Sequence, residues 1–149
     1  MRPGNAAIFL VIASCAQLPP ASSIAIPPIP AGEARLWIYR DDGPYESQER
    51  PFVRLNGQVV GISEPNGAFY RDVAPGLYKI TVDSYLSDFF NQFASIDLAV
   101  GKEAYVKVLS MRVKVGGETA GSRPIFYTYQ IAPHTAQPAV ARSPFYGGS

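Results

Sequence analysis

Cys15 is the sole thiol in a chain of 149 residues. It closes a short greasy run, Ile8-Phe9-Leu10-Val11-Ile12-Ala13-Ser14. A thiol is the only uncharged side chain readily alkylated near neutral pH once deprotonated, so a cysteine at the end of an apolar leader suits processing and attachment. Other chemistry is thin. His134 is the one histidine, beside Pro133 in a C-terminal stretch, too few for a Ser/His/Asp arrangement or a histidine-rich metal site within one chain. Asp41, Asp42, Glu46 and Glu49 form the one acidic cluster. Oxygen ligands of that kind suit a hard cation, but the EF-hand spacing is absent, and the cluster reads as a solvated loop. No glycine-rich loop follows a strand and opens a helix, and no carboxylate pair stands out for glycosidic work. No catalytic residue, metal site or cofactor is assigned, and the chain is expected not to be an enzyme.

Around Cys15 the layout is that of a secretory signal: Arg2 as the positive start, residues 6–13 as the apolar part, then small residues. Eight apolar residues are far short of the roughly 20 that a spanning helix needs. Within that layout Ile12-Ala13-Ser14-Cys15 resembles the lipobox of bacterial lipoproteins, which implies a diacylglyceryl group on the Cys15 sulfur and cleavage of the signal peptide between Ser14 and Cys15. Two or three acyl chains of the palmitate kind anchor stably at about 0.8 kcal/mol per buried methylene, where one is marginal. Ala16 stands where an aspartate commonly signals inner-membrane retention, so the resemblance implies the periplasmic face of the cell outer membrane if the source is Gram-negative. Ser14-Cys15-Ala16 also suits a soluble-export peptidase, and a cut after Ala16 would release an unlipidated protein.

Behind residues 1–14, the signal, 135 residues remain with twelve Lys and Arg against twelve Asp and Glu. A net charge of zero points to no nucleic acid and to no electrostatic membrane surface. With Cys15 consumed by lipid the domain holds no disulfide, even in an oxidising envelope. Stability must come from a core that 47% apolar and 12% aromatic residues can supply.

Residues 15–33 are rich in Pro, Ala and Ser, and read as an extended polyproline-like tether able to hold a domain several tens of Å from the headgroups. Residues 34–132 are the domain. Strand 34–39 alternates Leu36 and Ile38 with Trp37 and Tyr39, apolar on both faces. Strands 52–55 and 58–62 flank Asn56-Gly57, the dipeptide of a type I′ hairpin. Strands 68–73 and 77–85 follow the turns at Glu64-Pro65-Asn66-Gly67 and Ala74-Pro75-Gly76, with positive φ expected at Gly57, Gly67 and Gly76. A loop or short helical turn over 84–92 precedes strand 94–100. In the long segment 104–115 the apolar phase changes near Leu109-Ser110, which predicts a bulge or a crossing between sheets. A flexible loop, 116–122, leads to a last strand, 124–131, with Ile125, Tyr127, Tyr129 and Ile131 on one face. Residues 133–149 read as a disordered tail. Seven to eight short strands with turn signals between them predict an all-β fold, a small antiparallel β-sandwich or open barrel.

Two runs, Ala34-Arg35-Leu36-Trp37-Ile38-Tyr39-Arg40 and Val53-Arg54-Leu55-Asn56-Gly57-Gln58-Val59-Val60-Gly61, resemble the DUF2846 family of bacterial envelope lipoproteins. So do Gly67-Ala68-Phe69-Tyr70-Arg71-Asp72-Val73-Ala74-Pro75-Gly76-Leu77-Tyr78 and Leu98-Ala99-Val100-Gly101-Lys102-Glu103-Ala104-Tyr105-Val106. The resemblance covers about residues 34–109, with motifs shared by Ig-like and PEGA-like modules. It implies a fold and an envelope location but no chemistry.

The expected function is therefore a lipid-anchored, non-enzymatic interaction or structural module of the cell envelope. Its partners would be the membrane, through the N-terminal lipid, and an envelope protein or peptidoglycan. The competing expectation is a glycan- or peptide-binding module presenting Trp37, Tyr39, Phe69, Tyr70, Tyr127 and Tyr129 as an exposed aromatic platform.

Overall fold

A computed structural model describes residues 17–44, 46–85, 93–116 and 121–149. Cys15, Ser14 and the leader lie outside the described residues, as do most of the expected 84–92 loop and residues 117–120.

Among the described residues eight strands form two four-stranded sheets packed as a sandwich. They are β1 (Ala34–Arg40), β2 (Phe52–Leu55), β3 (Gln58–Ile62), β4 (Ala68–Val73), β5 (Gly76–Val82), β6 (Ala94–Leu98), β7 (Glu103–Val115) and β8 (Gly121–Ile131). Sheet one has the order β4-β1-β7-β8 and sheet two β3-β2-β5-β6. The strands lie where alternation and turn residues put them, with ends within three residues of expectation. One departure is that β1 pairs with β7 in parallel, from Arg35↔Glu103 to Arg40↔Val108; the other pairings between these eight strands are antiparallel. The parallel pair arises because β1 opens the domain and β7 returns, after a whole second sheet, to the edge of β1 that β4 leaves uncovered.

Turn chemistry sets the register. Asn56 and Gly57 both take positive φ, 47° and 86°, as a type I′ hairpin requires. Glycine serves differently at residue 67. The positive φ of that turn falls on Asn66, at 54°, and Gly67 is needed for space, since a Cβ there would stand 2.8 Å from the Tyr146 ring. No bulge interrupts the β7–β8 ladder, which runs unbroken from Tyr105↔Ile131 to Val115↔Gly121. The change of phase near Leu109 marks instead the place where the two strands run on past the buried core: Val106 and Val108 are fully buried, while Met111 is 46% exposed. The register shift lies in β2–β3, between Val53 and Arg54.

Leu36, Ile38, Val53, Ile80, Val82, Ile96, Leu98, Val106 and Phe126 fill the space between the sheets. Thr128 of β8 bolts them together. Its hydroxyl donates to the Ile80 carbonyl at 2.7 Å and accepts from the Ala94 N–H at 2.9 Å, so a polar side chain 1% exposed leaves no group unpaired.

Sheet one is covered on its other face too, and here the expected tail and tether are corrected. Residues 133–149 are ordered: α1 (Pro133–Arg142) lies on the sheet, and the segment after it runs along the β4 edge. Pro133 presets the first helical φ, and Ala136 and Val140, one turn apart, are buried against a second apolar cluster with Trp37, Tyr39, Tyr70 and Tyr105. Pro138 inside the helix removes one i→i−4 bond, a penalty that burial of this stripe opposes. Residues 17–30 dock on the same face at two points, the buried Ala21 and the half-buried Ile26, with most of their other side chains exposed. Richness in Pro, Ala and Ser suggested a free chain; the apolar outer face of β1 supplies the surface that holds both segments. Among the described residues no helix is long and apolar enough to cross a membrane.

Candidate binding cleft

β1 alternates, so Leu36 and Ile38 enter the core between the sheets while Arg35, Trp37 and Tyr39 project to the outer face. The registers of β4 and β7 then align two rows across three strands. One row is Asp72, Arg35 and Glu103; the next is Tyr70, Trp37 and Tyr105. In the first, Arg35 grips Asp72 through two nitrogens, at 2.7 and 2.8 Å, and donates to the Pro27 carbonyl at 2.8 Å. Its guanidinium lies 4.1 Å from the Tyr70 ring centre. The hydrogen bond to Asp72 outweighs burial and raises the Arg35 pKa. In the second row Trp37 and Tyr70 lie 5.0 Å apart, and Phe145 stacks on Tyr70 at 5.9 Å.

Over these rows, between residues 26–29 and α1, lies an open cleft of about 400 Å³. Its floor is Arg35, Trp37 and Tyr105, and its lining includes the polar Glu103 and Gln137 and the apolar Ile26 and Val140. Tyr105 donates to Glu103 at 2.7 Å and accepts from the Gln137 side-chain amide at 3.3 Å. Burial, reinforced by the bond to Glu103, pushes the Tyr105 phenol up to about 12, so near neutral pH it is a fixed donor rather than a base. Arg35 is engaged by Asp72 and Pro27. What faces the cleft is a set of hydrogen-bonding groups beside an apolar wall, an arrangement that can hold and orient a ligand.

Of the described residues singled out in sequence, Trp37 lines the cleft and the others lie elsewhere. His134 is exposed in the first turn of α1. The acidic residues go to separate partners: Asp41 to Lys107, and Glu46 to Arg40 and to the Ser110 hydroxyl. Among the described residues no three His, Cys, Asp or Glu are grouped to hold a metal. The six-membered aromatic platform is absent: Trp37, Tyr39, Phe69 and Tyr70 are each 6% exposed or less. Those four are packing residues, as aromatic side chains in strands commonly are. Tyr129, 57% exposed, and the half-buried Tyr127 form an edge-to-face pair on β8 at 5.6 Å.

Arg40 makes a second polar focus, at the end of β1. It is fully buried, pairs with Glu46 at 3.4 Å, and donates to the carbonyls of Glu49 at 2.7 Å and of Ser47. Burial lowers its pKa against the pull of Glu46. Its contacts pin Glu46, Ser47 and Glu49, in the connection between the two sheets, to the end of β1.

The family described as a protein of unknown function (DUF2846) matches residues 30–121, more than half of the chain. The chain belongs to the DUF2846 family. No curated protein and no solved structure matches it. The DUF2846 span contains the cleft floor, with Arg35, Trp37, Asp72, Glu103 and Tyr105, but neither residues 17–29 nor α1, which wall it. Sequence reading missed Arg35, Asp72, Glu103 and Gln137 as a group. The available signal was Arg35 in phase with Trp37 and Tyr39, on a strand face that had to be covered by something.

Proposed function

We propose that this DUF2846 protein is a lipid-anchored, non-enzymatic module of the cell envelope that binds an extended peptide segment in the cleft over β1. The anchoring half rests on Cys15 in its signal context. The binding half rests on one observation, the cleft in which Glu103 and Gln137, tied together through Tyr105, present acceptors and a donor beside Ile26 and Val140. Peptide is the chemistry common to an envelope protein and to the stems of peptidoglycan. Its amides match the polar lining groups and its side chains the apolar ones. Lipidation, with Ala16 in place of a retention aspartate after the cysteine, would place the protein on the periplasmic face of the outer membrane in a Gram-negative cell.

The test has two arms. The mass of the mature N-terminus reads lipidation, and Cys15→Ser should move the protein from the membrane to the soluble fraction; unchanged fractionation sinks anchoring. Titration of Trp37 fluorescence with peptidoglycan stem peptides and with envelope-protein peptides reads the cleft. A response lost in Glu103→Gln and Gln137→Ala supports binding there, and no response from either peptide class overturns it.

A further inference from the structure

The packed termini change what an anchor on Cys15 would do. Pro20 and Pro144 form an antiparallel bridge, flanked by Ala21 N–H to the Ser143 carbonyl at 2.9 Å and Phe145 N–H to the Pro19 carbonyl at 2.9 Å. The other edge of the same C-terminal segment pairs with β4. Ala68 N–H donates to the Pro144 carbonyl at 3.0 Å, Tyr146 N–H to Ala68 at 2.9 Å, and Tyr70 N–H to Gly147 at 3.2 Å. Sheet one is thus extended laterally by two short segments, the C-terminal one and then residues 19–21. Chain entry is fixed at the β4 side of the sheet, and the length from Cys15 to the first clasped residue, Pro19, is four residues. Such a length reaches at most about 14 Å.

We propose that this clasp seats the domain on the lipid surface with its β4 edge down, rather than letting it swing on a long tether. The proposal rests on lipidation of Cys15. The surface flanking the entry point fits a headgroup layer: continuing the Pro20–Pro144 register sets Leu18 beside Tyr146, and each is 44% exposed. An aliphatic side chain and a tyrosine are suited to that boundary, the ring buried and the hydroxyl wet. The β8 edge lies five strand spacings away, about 24 Å across the sheet.

The experiment uses the full-length lipidated protein in phosphatidylethanolamine/phosphatidylglycerol vesicles carrying a paramagnetic headgroup lipid. A fluorophore is placed on Tyr146→Cys, on Arg142→Cys as a second proximal site that leaves the ring packing intact, and on Tyr129→Cys of β8. The proximal labels should be quenched several-fold more strongly than the β8 label. Ten Gly/Ser residues inserted between Leu18 and Pro19, a coil of about 17 Å, should abolish the difference. Equal quenching at all three sites in protein whose N-terminal mass shows lipid overturns the seated posture and leaves anchoring standing. A mass without lipid on Cys15 overturns the anchoring reading and the posture with it.

Discussion

Arg35 and Asp72 face each other across the β1–β4 ladder and lock in a two-point ion pair, Nε to Oδ1 at 2.7 Å and the second terminal nitrogen to Oδ2 at 2.8 Å. Both side chains are 5% exposed or less. The pair joins the cleft to the core, because the same guanidinium holds Pro27 in the cleft wall and lies over Tyr70.

Asp72→Ala therefore strands a buried cation, and a loss of about 3–5 kcal/mol is expected by urea denaturation. Replacing both partners, Arg35→Met with Asp72→Leu, removes the stranded charge and should recover much of that loss. A cost under about 1 kcal/mol for Asp72→Ala would show that the pair is solvated in solution, like an exposed ion pair.

Arg40 works through geometry as well as charge. Its planar fork reaches Glu46 and two backbone carbonyls of the 41–51 crossover at once, so Arg40→Lys, a single point donor, should destabilise nearly as much as Arg40→Met. Each is expected to lower thermal stability by about 2–3 kcal/mol, the cost of buried acceptors left unmet. Full rescue by lysine would mean that charge alone matters.

How far sequence reached follows from the length scale of each signal. Asn56-Gly57 and the alternation in β5 are local, and both determine their own geometry whatever surrounds them. The parallel β1–β7 pair joins residues some seventy positions apart, which no local pattern encodes. The hardest part was the outer layer. Trp37 and Tyr39 announced a strand buried on two faces, yet the covering segments are Pro- and Ala-rich pieces that look free in isolation and fold only against that surface. The cleft was invisible for the same reason, since its walls, residues 26–29 and α1, acquire positions only by docking.

Tail docking depends on the close approach at Gly67. A methyl there would meet the Tyr146 ring and the Glu64 Cβ, both at 2.8 Å, in a place where overpacking costs about 1–3 kcal/mol. Gly67→Ala should expose the last residues to limited proteolysis after Ser143, while the sandwich stays folded by circular dichroism. Adding Tyr146→Ala should return part of the lost stability. An unchanged cleavage rate in Gly67→Ala would show that the ring is not held against the turn.

Alkaline pH offers a separate handle on the covered face. Burial pushes the phenols of Tyr39 and Tyr105 up to about 12, with Asp41 adding to the first and the Glu103 hydrogen bond to the second. Below pH 10 both are protonated whether the chain is folded or not, and their contribution is complete. Between pH 10 and 12 the unfolded chain loses those protons while the folded one keeps them. Stability should fall there by roughly 1.4 kcal/mol per pH unit for each tyrosine. Tyr105→Phe removes one of the two groups, so the decline with pH should become shallower. At pH 8 the same variant should be less stable by about 1 kcal/mol for the lost bond to Glu103. Urea midpoints from pH 8 to 12, with phenolate absorbance followed in parallel, read both effects. A variant decline as steep as that of the parent would mean that the Tyr105 hydroxyl is hydrated and that the cleft floor is wet.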